Sequence, residues 1–222
     1  MEISARQFQN GFTLIEMIVA MAILSMIVAI IFPSLRVGSG AWEKGAADID
    51  FYQRMRAVSD IIYRDISSVY SYKITPGELD THKEFYAFFG EGDRLQFVSY
   101  TDVYRNMPGL TLLEYWVEED KGLMAGYTPA LFSTHREMRD LKSRDRDNAV
   151  LLSADVKQIR FRYFERKTKD DEGNWEERWD PETRFGRDLR QPLFVEATIT
   201  FINTDEEAYE KKVLVPLSRN IL

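Results

Sequence analysis

Between residues 12 and 32 the chain carries one charge, Glu16, in an otherwise apolar or small run: Phe12-Thr-Leu-Ile-Glu16-Met-Ile-Val-Ala-Met-Ala-Ile-Leu-Ser-Met-Ile-Val-Ala-Ile-Ile-Phe32. At ~1.5 Å per residue a helix of this run reaches roughly 30 Å, the thickness of a bilayer core. Such a segment can satisfy its backbone polar groups in lipid only as a helix, which constrains the fold of this end of the chain more than any other feature. A carboxylate inside it costs about 2.5–3.5 kcal/mol on insertion scales and marks a functional position by default. The competing reading places Glu16 close enough to one end for its headgroup to reach the interface.

An ordinary secretory signal fits poorly. Its apolar region would be about 7–15 residues, followed by a small-residue cleavage site. Here the Ala20-Met21-Ala22 triplet lies inside the run, and Pro33-Ser34-Leu35-Arg36 follows it. A plain signal anchor is the better alternative, because the length alone supports it. Arg6 before the span is a cue for a cytoplasmic amino terminus, and Arg36 just after it weakens that cue.

Eleven short, mostly polar residues precede Phe12, ending in Gly11. The junction Gly11-Phe12-Thr13-Leu14-Ile15-Glu16, followed directly by the apolar run, resembles the processing site of type IV pilins and type II secretion pseudopilins. The resemblance implies cleavage between Gly11 and Phe12 by a membrane prepilin peptidase, and methylation of the new Phe12 amine by the same enzyme.

Composition narrows the rest. There is no cysteine, so disulfides, thiol catalysis and thiolate metal sites are excluded. A net charge of −7 argues against a nucleic-acid partner. The expected division is a leader at 1–11, a transmembrane helix at 12–32, a continuation of that helix at 33–75, and a β-rich head at 76–222. Pro33 removes one ladder bond, which is tolerated near the end of a span. Gly38, Gly40 and Gly45 then loosen the helix.

From Ala46 to Tyr70 helical periodicity returns, with Met55, Val58, Ile62, Ile66 and Val69 on one stripe. Arg54, Arg56, Asp60, Arg64 and Asp65 fall on other faces, and Arg56 and Asp60 are spaced to pair. The stripe is read as packing on the head's own sheet, and Pro76-Gly77 closes the helical region.

Beyond it the period is two. Glu84–Phe89 and Arg94–Tyr100 flank a hairpin loop at Gly90-Glu91-Gly92-Asp93. Leu112–Glu118 alternates, with Leu113, Tyr115 and Val117 on one face; after a turn at Lys121-Gly122, Leu123–Phe132 is its partner. Val156–Phe164 places Ile159, Phe161 and Tyr163 inward and Arg160 and Arg162 outward. Leu193–Phe201 alternates most regularly, and Val213, Val215 and Leu217 mark the last strand. One long helix with several antiparallel strands is an α+β fold.

No catalytic or metal constellation emerges. His82 and His135 stand in unrelated contexts, and the group His135, Glu137, Asp140 lies in a charge-dense stretch that reads as solvated. Ser133 lacks the glycines of a nucleophile elbow. Asp170-Asp171-Glu172-Gly173-Asn174 has acidic content but not the spacing of a calcium loop, and reads as a polar hairpin turn. No cofactor is expected.

That turn belongs to a second pattern: the Phe161-x-Tyr163 strand, Gly173-x-Trp175 and Trp179, then Pro192 before the Val195 strand. Over residues ~150–202 this resembles the J-type minor pseudopilin of the type II secretion system. Two departures are the charged insert Asp180 to Arg190 and Gln191 where relatives often have leucine. The resemblance implies a pseudopilus-tip subunit in the bacterial inner membrane, single-pass, with a periplasmic head. It implies I-, K- and H-type minor pseudopilins and the major pseudopilin as partners, and a Glu16 that meets the Phe12 amine of a neighbour. Ala22, Ser25 and Ala29 share a helix face that would allow close helix approach. Some relatives bind calcium. A minor pilin of a type IV pilus or competence system, and more remotely a membrane-anchored enzyme or binding domain, remain as alternatives.

Overall fold

The computed structural model describes residues 13–74, 85–100, 109–130, 149–166, 171–181 and 191–217, without the side chains at 40, 41 and 43. The chain divides into two compact units, Met1–Tyr52 and Gln53–Leu222. The one helix, α1 (Leu14–Ser67), gives its first part to one unit and its last turns to the other.

In the first unit α1 has the length and apolarity of a membrane span, with a mean hydropathy of 2.8 over its most apolar window. None of that window is buried within the protein, as expected of side chains that meet lipid. The helix runs through Pro33 without ending. Proline has no N–H to give to the carbonyl four residues back, and a span end tolerates that loss. Hydroxyls inside the segment are internally satisfied: Ser25 donates to the Met21 carbonyl (2.7 Å) and Ser34 to that of Ile30 (3.0 Å). Ser25 therefore presents a small, already bonded side chain to any neighbouring helix.

In the second unit the apolar stripe of α1 is buried at Val58, Ile62 and Ile66, and Met55 is half-buried. Arg56 and Asp60 pair across one turn at 3.7 Å, the spacing read from the sequence. Arg54 reaches Asp155 at 2.7 Å. Asp65, which the periodicity places off the apolar stripe, is nonetheless fully buried beside Ile66.

The strands are β1 (Lys73–Ile74), β2 (Phe85–Tyr86), β3 (Phe88–Gly90), β4 (Leu95–Ser99), β5 (Thr111–Glu118), β6 (Gly122–Pro129), β7 (Ala149–Ser153), β8 (Val156–Glu165), β9 (Asn174–Glu176), β10 (Phe194–Ile202) and β11 (Ala208–Pro216). Among the described residues they form an antiparallel five-stranded sheet, β3-β4-β5-β6-β7, a four-stranded sheet, β11-β10-β8-β9, and the pair β1-β2. The α+β class expected from the sequence is the class observed.

The expected hairpin between β3 and β4 is present, shifted by one residue because Gly90 joins β3 and pairs with Leu95. β5 and β6 pair from Thr111↔Pro129 to Glu118↔Gly122. The turn needs a glycine at its end: Gly122 has φ +110°, and a Cβ there would lie 2.3 Å from the Ser153 carbonyl oxygen. β8 and β10 alternate as read, burying Ile159, Phe161 and Tyr163 on one strand and Val195, Ala197, Ile199 and Phe201 on the other.

β5 does not show the one-sided alternation expected of it. Leu112, Glu114 and Trp116 are buried as well as Leu113 and Tyr115. The five-stranded sheet is covered on both faces. Tyr115 contacts the last turns of α1, while Val98 and Leu112 pack under Ile74, Phe85, Ala87, Phe89 and Ala130. β1 and β7 carried no strand signal in the sequence; each forms because a neighbouring strand offers an edge.

Candidate functional site

Two groups of residues singled out by sequence are placed by the structure, and they lie in different units. The first is the amino-terminal turn of α1. Gly11 and Phe12 lie outside the described residues; Thr13 and Glu16 are described. The Thr13 N–H donates to Glu16 Oε2 at 2.9 Å, the Thr13 hydroxyl donates to the same oxygen at 3.0 Å, and the Glu16 N–H points back at Thr13 Oγ1 at 3.4 Å. This is a reciprocal capping box, with threonine at the cap and glutamate three residues on. The first amides of a helix have no intrahelical acceptor, and in lipid they have no water either. The negative group also sits at the positive end of the helix dipole. Glu16 therefore has a local reason to be in an apolar run. The carboxylate uses Oε2 for these bonds, and a carboxylate has acceptor positions on both oxygens.

The second group is the corner formed by β8, β9 and the segment leading into β10. Gly173 has φ +77° and closes the turn into β9, as the Asp171 carboxylate accepts its N–H at 3.3 Å. A Cβ at Gly173 would lie 2.4 Å from Cζ of Phe164 and 2.8 Å from the Glu165 carbonyl oxygen. Gly173 thus leads into a strand that pairs antiparallel with β8, with Phe164 opposite Trp175. Asp170 lies outside the described residues, as do His82, His135, Glu137 and Asp140. Among the described residues no group of three possible metal ligands comes together.

The two tryptophans have opposite fates. Trp175 stands on the outer face with 37% of its surface exposed, against Phe164 (5.2 Å between ring centroids) and under the Arg162 guanidinium (5.3 Å). Trp179 turns inward and is buried. Its main chain makes two 2.8 Å hydrogen bonds with Gly90, so this residue ties the segment after β9 to the edge of the five-stranded sheet.

From Trp179 a continuous file of buried rings crosses the head. Tyr163 is 6.4 Å from Trp179, Phe88 is 6.0 Å from Tyr163, Phe97 is 6.2 Å from Phe88, and Tyr115 is 6.3 Å from Phe97. The file ends at α1, where the Tyr115 hydroxyl donates to Asp65 Oδ2 at 2.5 Å. Tyr163 donates to the Glu91 carbonyl at 3.0 Å. Burial, with Glu91 and Asp93 nearby, holds its phenol well above the usual range, so it stays a neutral donor. Burial also raises the Asp65 carboxyl, against the opposing effects of Tyr115 and Arg64.

Pro192 is buried at the entry to β10, and the N–H of Leu193 bonds to the Phe164 carbonyl at 2.9 Å. The departure at Gln191 has a structural reason: this buried side chain accepts the Ser71 hydroxyl at 3.1 Å, which leucine could not. On the opposite face of β8, β10 and β11 a polar cleft of about 570 Å³ is lined by charges that pair across strands, Arg160 with Glu210 (3.4 Å) and Arg162 with Glu196 (3.7 Å). The sequence did not single out Asp65 or Gly90. Their importance comes from partners 50 and 73 positions away, Tyr115 and Tyr163.

A capped apolar helix at the amino terminus, joined in sequence to an antiparallel head, is the arrangement of a pilin-like protein, and residues 6–32 match the family described as the prokaryotic N-terminal methylation motif. Residues 38–208 match the family of type II secretion system protein J, and the chain belongs to that family. It is similar to the type II secretion system protein J of Xanthomonas campestris pv. campestris, with 29% identity over 153 residues, 69% of this chain and 71% of the relative. Between the readings left open by the sequence, this decides for type II secretion over a type IV pilus or competence system.

Proposed function

We infer that this protein is a membrane-anchored minor pseudopilin of the type II secretion system, a structural subunit rather than a catalyst. The observation that carries the reading is the match of residues 38–208 to the protein J family, joined in one chain to an amino-terminal methylation motif at residues 6–32.

The leader, residues 1–11, is removed between Gly11 and Phe12 by the prepilin peptidase, and Phe12 is methylated. Residues 12–32 cross the inner membrane once, with the amino terminus cytoplasmic before cleavage and the head, 76–222, in the periplasm. The segment 33–75, helical as far as Ser67 and then entering β1 of the head, joins them. Partners are the I-, K- and H-type minor pseudopilins and the major pseudopilin, and the assembly starts the pseudopilus that exports folded proteins. In it, Glu16 meets the Phe12 ammonium of a neighbour. A carboxylate and an ammonium are each costly in lipid, and pairing recovers much of that cost in one axial register only. The capping box supports this role, because it holds the carboxylate at the helix end where such an amine would arrive. Gly173, Trp175, Trp179 and Pro192 serve as corner pieces of the head.

Mass spectrometry of the mature amino terminus tests the reading. N-methyl-phenylalanine at position 12 is the expected result; retention of Met1, or a cut after Ala22, would overturn it. Glu16→Ala is expected to be cleaved normally but to assemble poorly, and unchanged secretion by that variant would contradict the pairing role.

A further inference from the structure

We propose that Asp65 and Tyr115 form a proton-sensitive clasp between the last turn of α1 and the five-stranded sheet, and that this junction gains stability as the surroundings become more acidic. Asp65 has no exposed surface. Its Oδ2 accepts the Tyr115 hydroxyl from β5 at 2.5 Å. Its Oδ1 has no hydrogen bond; the nearest cation, Arg64 on the same helix, holds Nε at 3.8 Å, beyond hydrogen-bond range, with about half of its side chain in solvent. From β4 the facing group is uncharged. The Ser99 hydroxyl goes to the Ser68 carbonyl (3.1 Å) and the Asp65 carbonyl (3.4 Å), and meets the Ser68 hydroxyl. Arg64 and Tyr115 are the ionisable groups acting on the carboxyl.

A carboxylate buried with one neutral donor and a half-exposed ion-pair partner at 3.8 Å is under-compensated, whereas the carboxylic acid keeps the Tyr115 bond and loses the desolvation cost. The site is also where the helix joins the sheet. Val69 bridges to Ser99, the Tyr70 N–H bonds to the Val98 carbonyl at 2.8 Å, and the Tyr100 N–H to the Ser68 carbonyl at 3.2 Å. Because the folded carboxyl titrates above its unfolded value, its contribution to stability is complete below the unfolded value. That contribution is lost as pH rises through the folded one. This is the reverse of the usual acid-labile carboxylate, whose value falls on folding.

The test uses the full chain in detergent micelles, comparing wild type with Asp65→Asn, which keeps an acceptor for Tyr115 but cannot ionise. Between pH 7.5 and pH 4.5 the unfolding constant of wild type, relative to the variant, is expected to fall, by up to tenfold for each pH unit that separates the folded and unfolded titrations within that window. Parallel profiles would overturn the clasp. Tyr115→Phe removes the donor that favours the charged form. The carboxyl of that variant then titrates at higher pH, and its stability transition is centred at higher pH than in wild type; an unmoved transition would show that Tyr115 is not the partner. Amide exchange of Ser68, Tyr70 and Tyr100, corrected for intrinsic rates, is expected to slow on acidification in wild type and not in Asp65→Asn. Equal behaviour of the two proteins would also refute the proposal.

Discussion

Gly90 is where the two sheets meet, and replacing it with alanine is a sharp test of how they are joined. Its backbone conformation is one that any residue adopts, so the effect is one of space alone. A Cβ at position 90 would lie 2.1 Å from Cζ, 2.2 Å from the hydroxyl oxygen and 2.7 Å from Cε1 of Tyr163, where ordinary contact is about 3.5–4.0 Å. Either the ring moves by more than an ångström or β3 does. The ring is fully buried between Phe88 and Trp179, and the strand holds Trp179 by two 2.8 Å main-chain bonds. Overpacking of this kind costs about 1–3 kcal/mol. Losing the Tyr163 bond to the Glu91 carbonyl adds about 1 kcal/mol. The lower entropy of an unfolded alanine returns about 0.4–1 kcal/mol. The net expectation is a loss of about 1–3.5 kcal/mol, or roughly 2–14 °C in Tm for a domain of this size. Urea unfolding of the full chain in micelles, followed by tryptophan fluorescence, would measure it. Gly92→Ala is the control, since its Cβ would be 4.0 Å from the nearest atom, and it should stay within about 0.5 kcal/mol of wild type. Replacing Tyr163 by leucine should relieve the clash, so the double variant should be less destabilised than the two single changes added together. A neutral Gly90→Ala, or strict additivity with Tyr163→Leu, would refute this account of the joint.

Trp179→Ala should cost about 3–5 kcal/mol as a buried aromatic truncation, while Trp175→Ala should cost about 1 kcal/mol or less, mainly through the Arg162 contact, in the same unfolding assay. Equal losses would mean that the two residues share one environment. Gly173→Ala should destabilise by about 1–3 kcal/mol, because φ +77° and the approach of Phe164 both oppose a side chain there; amide exchange should report the damage first in β9.

Much of the architecture was legible because some elements carry their own instructions. The apolar run of α1 needs lipid on all sides, so its pattern alone states its environment. β8 alternates cleanly because one face meets the core and the other meets water, and β10 keeps its core face at Val195, Ala197, Ile199 and Phe201 although Thr198 on the other face is also buried. β5 misled for the opposite reason: with layers on both faces, Glu114 and Trp116 are as buried as Tyr115, and period two no longer separates inside from outside. β1 has two residues, too few to carry a pattern, and β7, Ala149-Val-Leu-Leu-Ser153, does not alternate. The burial of Asp65 was not legible from the helix alone, because the hydroxyl that receives it comes from a strand 50 residues later.

What the sequence determined by itself was the chemistry of one end and the class of the whole. An apolar run of membrane length, a Gly11-Phe12 junction and an acid four residues on are all local features, and local features survive without a fold. The tertiary structure decided which of several similar residues matter. It sends Trp179 inward and leaves Trp175 at the surface, makes Gly90 the seat of Tyr163, and buries Asp65 under Tyr115. Periodicity describes the faces of a single element. What lies against each face depends on segments distant in the chain, and only packing brings them together.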